Sequence, residues 1–224
     1  MTSIENRIPV PVMNVLVILD RTGFFEDGLL IGSWAMLFYE EMFGINYVLR
    51  TGDIDFAIIP EALRTSKRTA DLEAELIAEG LEPVMDRMTG LQKFLTEMYE
   101  VEFLVHRKGG KDDIKLIKKY NVNAQQMPFL DILFVDPIMI RLESCTIKIP
   151  KPEALFFHKM IIAQRRTEES KKLKDLEQCS LLASQIDQEV LASMAHNYRM
   201  SKATIKNLRT SCTAIDFPLE KLIR

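Results

Sequence analysis

Residues 29–59 read LLIGSWAMLFYEEMFGINYVLRTGDIDFAII, and this stretch decides how the rest of the chain is read. An apolar run, Leu29 to Ile31, ends in Gly32-Ser33. From Ser33 to Met42, Trp34, Leu37 and Phe38 fall on one stripe, the spacing of a helix face, and Gly44 and Asn46 break it. Polar and apolar residues then alternate from Asp53, and Pro60 closes the run, which predicts a strand over 53–59. Alternate strand residues share a face and rise about 3.3 Å each, so the Asp53 and Asp55 carboxylates stand roughly 7 Å apart while Ile54 and Phe56 face a core. Two carboxylates that close repel unless a cation lies between them, and a divalent metal is the usual partner. Thr51, just before the strand, either bonds a phosphate or caps the strand.

Working outward, residues 12–23 (VMNVLVILDRTG) are apolar all round and end at a glycine, which predicts a short buried helix. An amphipathic helix is expected over 67–79, and strands over 81–86, 91–96 and 100–106, the last alternating clearly as YEVEFLVHR. Gly109-Gly110 marks a loop. A helix is expected near Ile114 to Lys119 and strands near Ile138 to Ile149. Pro150 and Pro152 open a helical region, with Pro152 suited to the first turn of a helix reaching about Arg166. Further helices are expected over 168–184 and within 187–224. The fold class is therefore α+β: a mixed β-sheet domain over 1–150, then an all-helical domain over 151–224.

The bulk properties set limits. The 224 residues are 47% hydrophobic with a mean hydropathy near zero, enough for a genuine core, and the net charge of −3 offers no global basic field for nucleic acid. Three cysteines (Cys145, Cys179, Cys212) without CxxC spacing argue against a disulfide framework or a structural zinc. They and most of the methionines are expected in packing roles. The N-terminus lacks a signal-peptide pattern and no run of 18 apolar residues occurs, so the expectation is a soluble, cytoplasmic protein with no membrane partner.

Gly32-Ser33 at a strand-to-helix turn offers small side chains and unpaired amides at a helix start, a setting that attracts phosphate. Glu102, within VEFLV, supplies a third carboxylate from a later strand. Glu100 shares its face, so the third position stays open between the two. Three carboxylates beside an anion cradle suit a metal-bound nucleoside triphosphate. The stretch 158–174 (HKMIIAQRRTEESKKLK) is locally basic. Lys159 and Arg166, two helical turns apart, share a face that is either a solvated stripe or part of a cleft that holds a triphosphate. Lys174-Asp175 is either charged surface or an ion-pairing support for those groups. His158 is read as structural or surface, with a catalytic base as the alternative.

On Ile31-Gly32-Ser33, Asp53-Ile54-Asp55-Phe56 and Glu102, the chain resembles the nucleotidyltransferase superfamily, with its DNA polymerase β-like fold. Pro150-Lys151-Pro152, His158-Lys159, Arg165-Arg166 and Lys174-Asp175 resemble the minimal bacterial nucleotidyltransferases that include the AbiEii-like toxins. The nineteen residues 34–52 between Ser33 and Asp53 exceed the tightest form of the signature. The resemblance implies Mg²⁺ (or Mn²⁺) held by Asp53, Asp55 and Glu102. It implies an NTP donor bound by Gly32, Ser33, Thr51, Lys159 and Arg166, and transfer of NMP to an acceptor hydroxyl with release of pyrophosphate. The acceptor is a small molecule, a tRNA or a protein. A second class is a non-catalytic nucleotide-binding regulator or half of a toxin–antitoxin pair with a cognate protein partner. A third is a helix-turn-helix regulator built on residues 195–208, where Lys202, Lys206 and Asn207 would face DNA. Arg199 stands there at the position of the expected turn glycine.

Overall fold

The computed structural model describes residues 4–64, 67–107, 109, 114–218 and 222, so Gly110 of the expected loop lies outside the described residues. The chain divides into two compact units. One comprises Met1–Phe38 and Leu49–Pro150, the other Tyr39–Val48 and Lys151–Arg224.

The first unit is built on a seven-stranded mixed sheet. Helix α1 (Val10–Arg21) starts with a proline in its first turn and gives way to Gly23 in the left-handed conformation. Strand β1 (Gly28–Leu30) leads into α2 (Gly32–Phe43), whose residues up to Phe38 belong to this unit. Strand β2 (Asp53–Ile58) pairs antiparallel with β1 and parallel with β5 (Glu100–His106). The far side of β5 is shared. Strand β4 (Gln92–Leu95) runs antiparallel beside Glu100 to Glu102, and β7 (Val122–Met127) runs parallel beside Leu104 to His106. Strand β3 (Glu82–Met85) extends β4, and β6 (Ile114–Ile117) extends β7. Helix α3 (Leu72–Ala78) is capped by Asp71, whose carboxylate accepts the Ala74 N–H. A separate hairpin of β8 (Ile138–Arg141) and β9 (Thr146–Ile149) completes the unit.

The expected helix near Ile114 to Lys119 is corrected: Ile114–Ile117 is strand β6. Ile114 and Ile117 are spaced like a helix stripe, but the four residues that follow turn the chain back. Asn121 takes a positive φ of 55° there, a conformation asparagine tolerates, and β7 then pairs with β6. Pairing with the sheet overrides local periodicity.

Alternation along β2 and β5 gives the sheet two distinct faces. On one, Phe56 and Phe103 stack with ring centroids 5.9 Å apart. Phe24 packs edge-on against both, 5.7 Å from each, and Phe94 lies 6.2 Å from Phe103. On the other face stand the acidic residues of the same two strands.

The second unit centres on α4 (Pro152–Ile162), every residue of which is buried. It packs against α5 (Glu169–Leu182), α6 (Gln188–Asn197) and α7 (Lys202–Ala214). A helix enclosed all round needs no polar face, and FFHKMII is accordingly apolar apart from His158 and Lys159. The segment Tyr39–Val48 is tied to this unit by a hydrogen bond of 2.7 Å from Gln178 Nε2 to the Tyr47 hydroxyl.

Phe103 stands at the centre of the aromatic cluster, so Phe103→Ala is expected to destabilise the protein by about 3–5 kcal/mol. Denaturant titration checks this, and a loss below about 1 kcal/mol would contradict the role given to the cluster.

Candidate active site

The acidic face is assembled by strand register. Asp53 pairs with Glu100 across β2 and β5, and Asp55 with Glu102. Directly opposed residues in a sheet project from the same face, so two aspartates and two glutamates are gathered on adjacent strands. Their backbone is held at several points. The Asp53 carbonyl accepts a hydrogen bond from Trp34 Nε1 at 3.0 Å, and the Asp53 N–H donates to the Thr51 hydroxyl at 3.2 Å. The Glu100 N–H donates to the Gly52 carbonyl at 2.9 Å.

Gly32 meets this face from β1. The Ile31 N–H donates to the Asp55 carbonyl at 3.0 Å, bringing the start of α2 against β2. Gly32 has φ +67°, and a Cβ placed on it would stand 2.8 Å from Asp55 Oδ2. Positive φ and this close approach both require glycine. Ser33 follows in the first turn of α2 and is buried. The structure therefore brings Gly32 against Asp55, and Asp53, Asp55, Glu100, Glu102 and Thr51 into one group within the first unit.

One residue of this face carries no signal in the readings above. Lys93 on β4 lies opposite Glu102 in the antiparallel register. Its Nζ is 2.5 Å from Glu102 Oε1 and 2.7 Å from Glu100 Oε2. Partial burial works to lower the Lys93 pKa, but the hydrogen bonds and charges of the two glutamates outweigh it and push the ammonium well above its usual range. The sequence contains the clue, because in QKFLTEMYEVE the turn at 96–99 pairs Lys93 with Glu102 once the hairpin register is known.

The donor set suits a hard divalent cation in kind, since every candidate ligand is a carboxylate oxygen. Among the described residues, however, no three ligating side chains converge on one point as they stand. Glu102 and Glu100 are both engaged by Lys93.

Lys159 and Arg166 lie in the second unit and meet on one carboxylate. Lys159 Nζ donates to Asp175 Oδ1 at 2.6 Å and Arg166 Nε to Asp175 Oδ2 at 2.8 Å. Lys159 and Asp175 are buried, whereas the Arg166 side chain is 30% exposed. Burial alone would raise the Asp175 pKa, but the two cations hold it below the usual carboxylate range. His158, beside Lys159, is buried with Nε2 lacking a hydrogen-bond partner. Burial foremost, then the Lys159 and Arg166 charges, pull its pKa down to about 3 against the opposing pull of Asp175. It is a neutral histidine of the helical core. Lys202 and Lys206 are exposed on α7, and Ser201 caps that helix by accepting the Thr204 N–H.

Comparisons with known proteins speak to the family and the fold. A family model described as Nucleotidyltransferase matches residues 11–202. No protein of curated function matches the chain by sequence. Among solved structures, the fold is similar to an antigenic nucleotidyltransferase-like protein from Paracoccidioides brasiliensis. That match has a TM-score of 0.52 at 13% identity, and covers 93% of this chain and 90% of that one. At such identity the likeness speaks for the fold alone. The solution structure of the antibiotic-resistance factor ANT(2'')-Ia gives a TM-score of 0.49 at 12% identity, covering 92% of this chain and 93% of that one. No helix among the described residues is long and apolar enough to cross a membrane.

Two outcomes test these local assignments. Gly32→Ala is expected to cost at least about 1–3 kcal/mol through its positive φ and the clash with Asp55, measured by thermal or urea unfolding. An unchanged stability would contradict the close approach. For His158, the folded pKa of about 3 lies below the ordinary 6.5 of the unfolded chain. The unfolded state therefore takes up the proton first as pH falls. The stability from keeping His158 neutral is complete above pH 6.5 and is lost from there downward, at up to about 1.4 kcal/mol per pH unit. Between pH 6.5 and 5, His158→Gln is expected to flatten the dependence, and equal slopes in the two proteins would contradict the assignment.

Proposed function

The chain belongs to the nucleotidyltransferase family, and we propose that it moves a nucleoside monophosphate from an NTP to an acceptor hydroxyl, releasing pyrophosphate, with Mg²⁺ or Mn²⁺ as the metal. The observation that carries this reading is the β2–β5 register, which sets Asp55 beside Glu102 on the face that Gly32 approaches.

In this reading Asp53 and Asp55 hold the metal and Glu102 completes the set. When bound, the divalent ion neutralises phosphate oxygens and lowers the pKa of an acceptor hydroxyl. Gly32 contributes by its size: without a side chain, the start of α2 approaches Asp55 closely, and phosphate oxygens can reach the backbone N–H groups of its first turn. Ser33 in the same turn is small and buried, and Thr51 keeps Asp53 at the strand start through the bond to its N–H. Asp55 or Glu102 takes the hydroxyl proton, each being a carboxylate on the acidic face. In the second unit, Arg166 is the proposed anion-binding side chain, with Lys159 fixing it through the shared Asp175. Two cations on one carboxylate leave that cluster with a surplus positive charge suited to a triphosphate.

The acceptor is proposed as a small molecule or a protein ahead of a large RNA. The net charge of −3 gives little of the lysine and arginine surface that many phosphate contacts require.

Removing both aspartate charges tests the reading. Asp53→Asn with Asp55→Asn is expected to lower NTP-dependent pyrophosphate release by at least about 10³-fold with the fold intact by circular dichroism. Wild-type rates in the double variant would sink the assignment.

A further inference from the structure

The acidic face has an internal cation, and its arrangement bears on how a metal is admitted. Four carboxylates stand on one face of two adjacent strands, Asp53 and Asp55 on β2 and Glu100 and Glu102 on β5. Like charges directly opposed across strands repel. Lys93 offsets this on the β5 side: its ammonium bonds Glu100 and Glu102 and reaches them from β4, the strand on the other side from β2.

The two bonds of Lys93 are not equivalent in their surroundings. The Glu102 side chain is only 15% exposed, whereas Glu100 is 43% exposed. Glu102 is also the residue paired with Asp55, the aspartate that Gly32 approaches. Lys93 sits on Glu102 Oε1, and a divalent ion drawing on the same carboxylate beside Asp55 weakens that bond, because the two cations share one negative charge and repel each other. Glu100 offers the lysine a second carboxylate, so the ammonium need not be stranded when Glu102 leaves.

We propose that Lys93 is a positioning residue that competes with the divalent metal for Glu102, and that Glu100 is its holding partner once the metal has taken Glu102. The proposal rests on reading Asp53 and Asp55 as metal ligands. It separates the two glutamates: Glu102 alternates between lysine and metal, and Glu100 keeps the lysine. The third ligand is thus supplied conditionally, and the site without nucleotide holds a metal through its aspartates alone.

Mn²⁺ binding followed by the loss of its free-ion electron paramagnetic resonance signal tests this without reference to turnover. Lys93→Met is expected to bind Mn²⁺ on the order of tenfold more tightly than wild type, a gain that damage to the fold does not produce. Lys93→Arg, which keeps the charge, is expected to stay near wild type. Glu100→Gln is expected to weaken Mn²⁺, because Lys93 then has only Glu102 to hold, and this weakening should largely vanish in the Lys93→Met background. Affinity in Lys93→Met equal to or below wild type would overturn the competition while leaving the metal site in place, provided that wild-type binding is lost in Asp53→Asn with Asp55→Asn. A Glu100→Gln effect of the same size in both backgrounds would overturn the holding role. No Mn²⁺ bound by any of these proteins would overturn the metal reading itself and the proposal with it.

Discussion

The parallel, in-register pairing of β2 with β5 is the constraint on which the first unit depends. Because side chains alternate along a strand, a single register decides both faces at once. It stacks Phe56 on Phe103 within the aromatic core and sets Asp55 beside Glu102 on the opposite face. A slip of one residue would bury the carboxylates and expose the rings. The hydrophobic energy of one face therefore holds the geometry of the other. Gly32 depends on the same arrangement, since the Ile31 bond to the Asp55 carbonyl fixes how closely the start of α2 comes.

Concentrating carboxylates costs electrostatic free energy, and each unit meets its charges with specific partners. In the first, Lys93 bridges Glu100 and Glu102. In the second, buried Lys159 and partly exposed Arg166 share Asp175 inside a helical core. A buried lysine without a partner would shed its proton or unfold its surroundings, so Asp175 is what allows a cation on the enclosed α4. His158, one residue earlier, meets the same environment by staying neutral.

Much of this was legible in the sequence where local pattern and tertiary demand coincide. DIDF and EVEF alternate as strands buried on one face must, and the acidic positions follow from that alternation. The nucleotidyltransferase family was likewise readable from Gly32-Ser33, the paired aspartates and Glu102, and the α+β fold class from the order of expected strands and helices. What was not legible is set by contacts distant in sequence. IKLI looks helical until β7 claims it as a strand. Lys93 looks like an ordinary surface lysine until the β4–β5 register turns it onto Glu102. Tyr39–Val48 groups with the helical unit through contacts such as Gln178 to Tyr47, 131 positions apart, which no local pattern announces.

Calorimetric binding of the four ribonucleoside triphosphates, with Mg²⁺ and with EDTA, tests the central claim most directly when wild type is compared with Asp53→Asn plus Asp55→Asn. The account predicts binding of at least one triphosphate that requires the metal and disappears in the variant. Triphosphate binding that persists in EDTA, or in the variant, would contradict the assignment of the acidic face as the metal–nucleotide site.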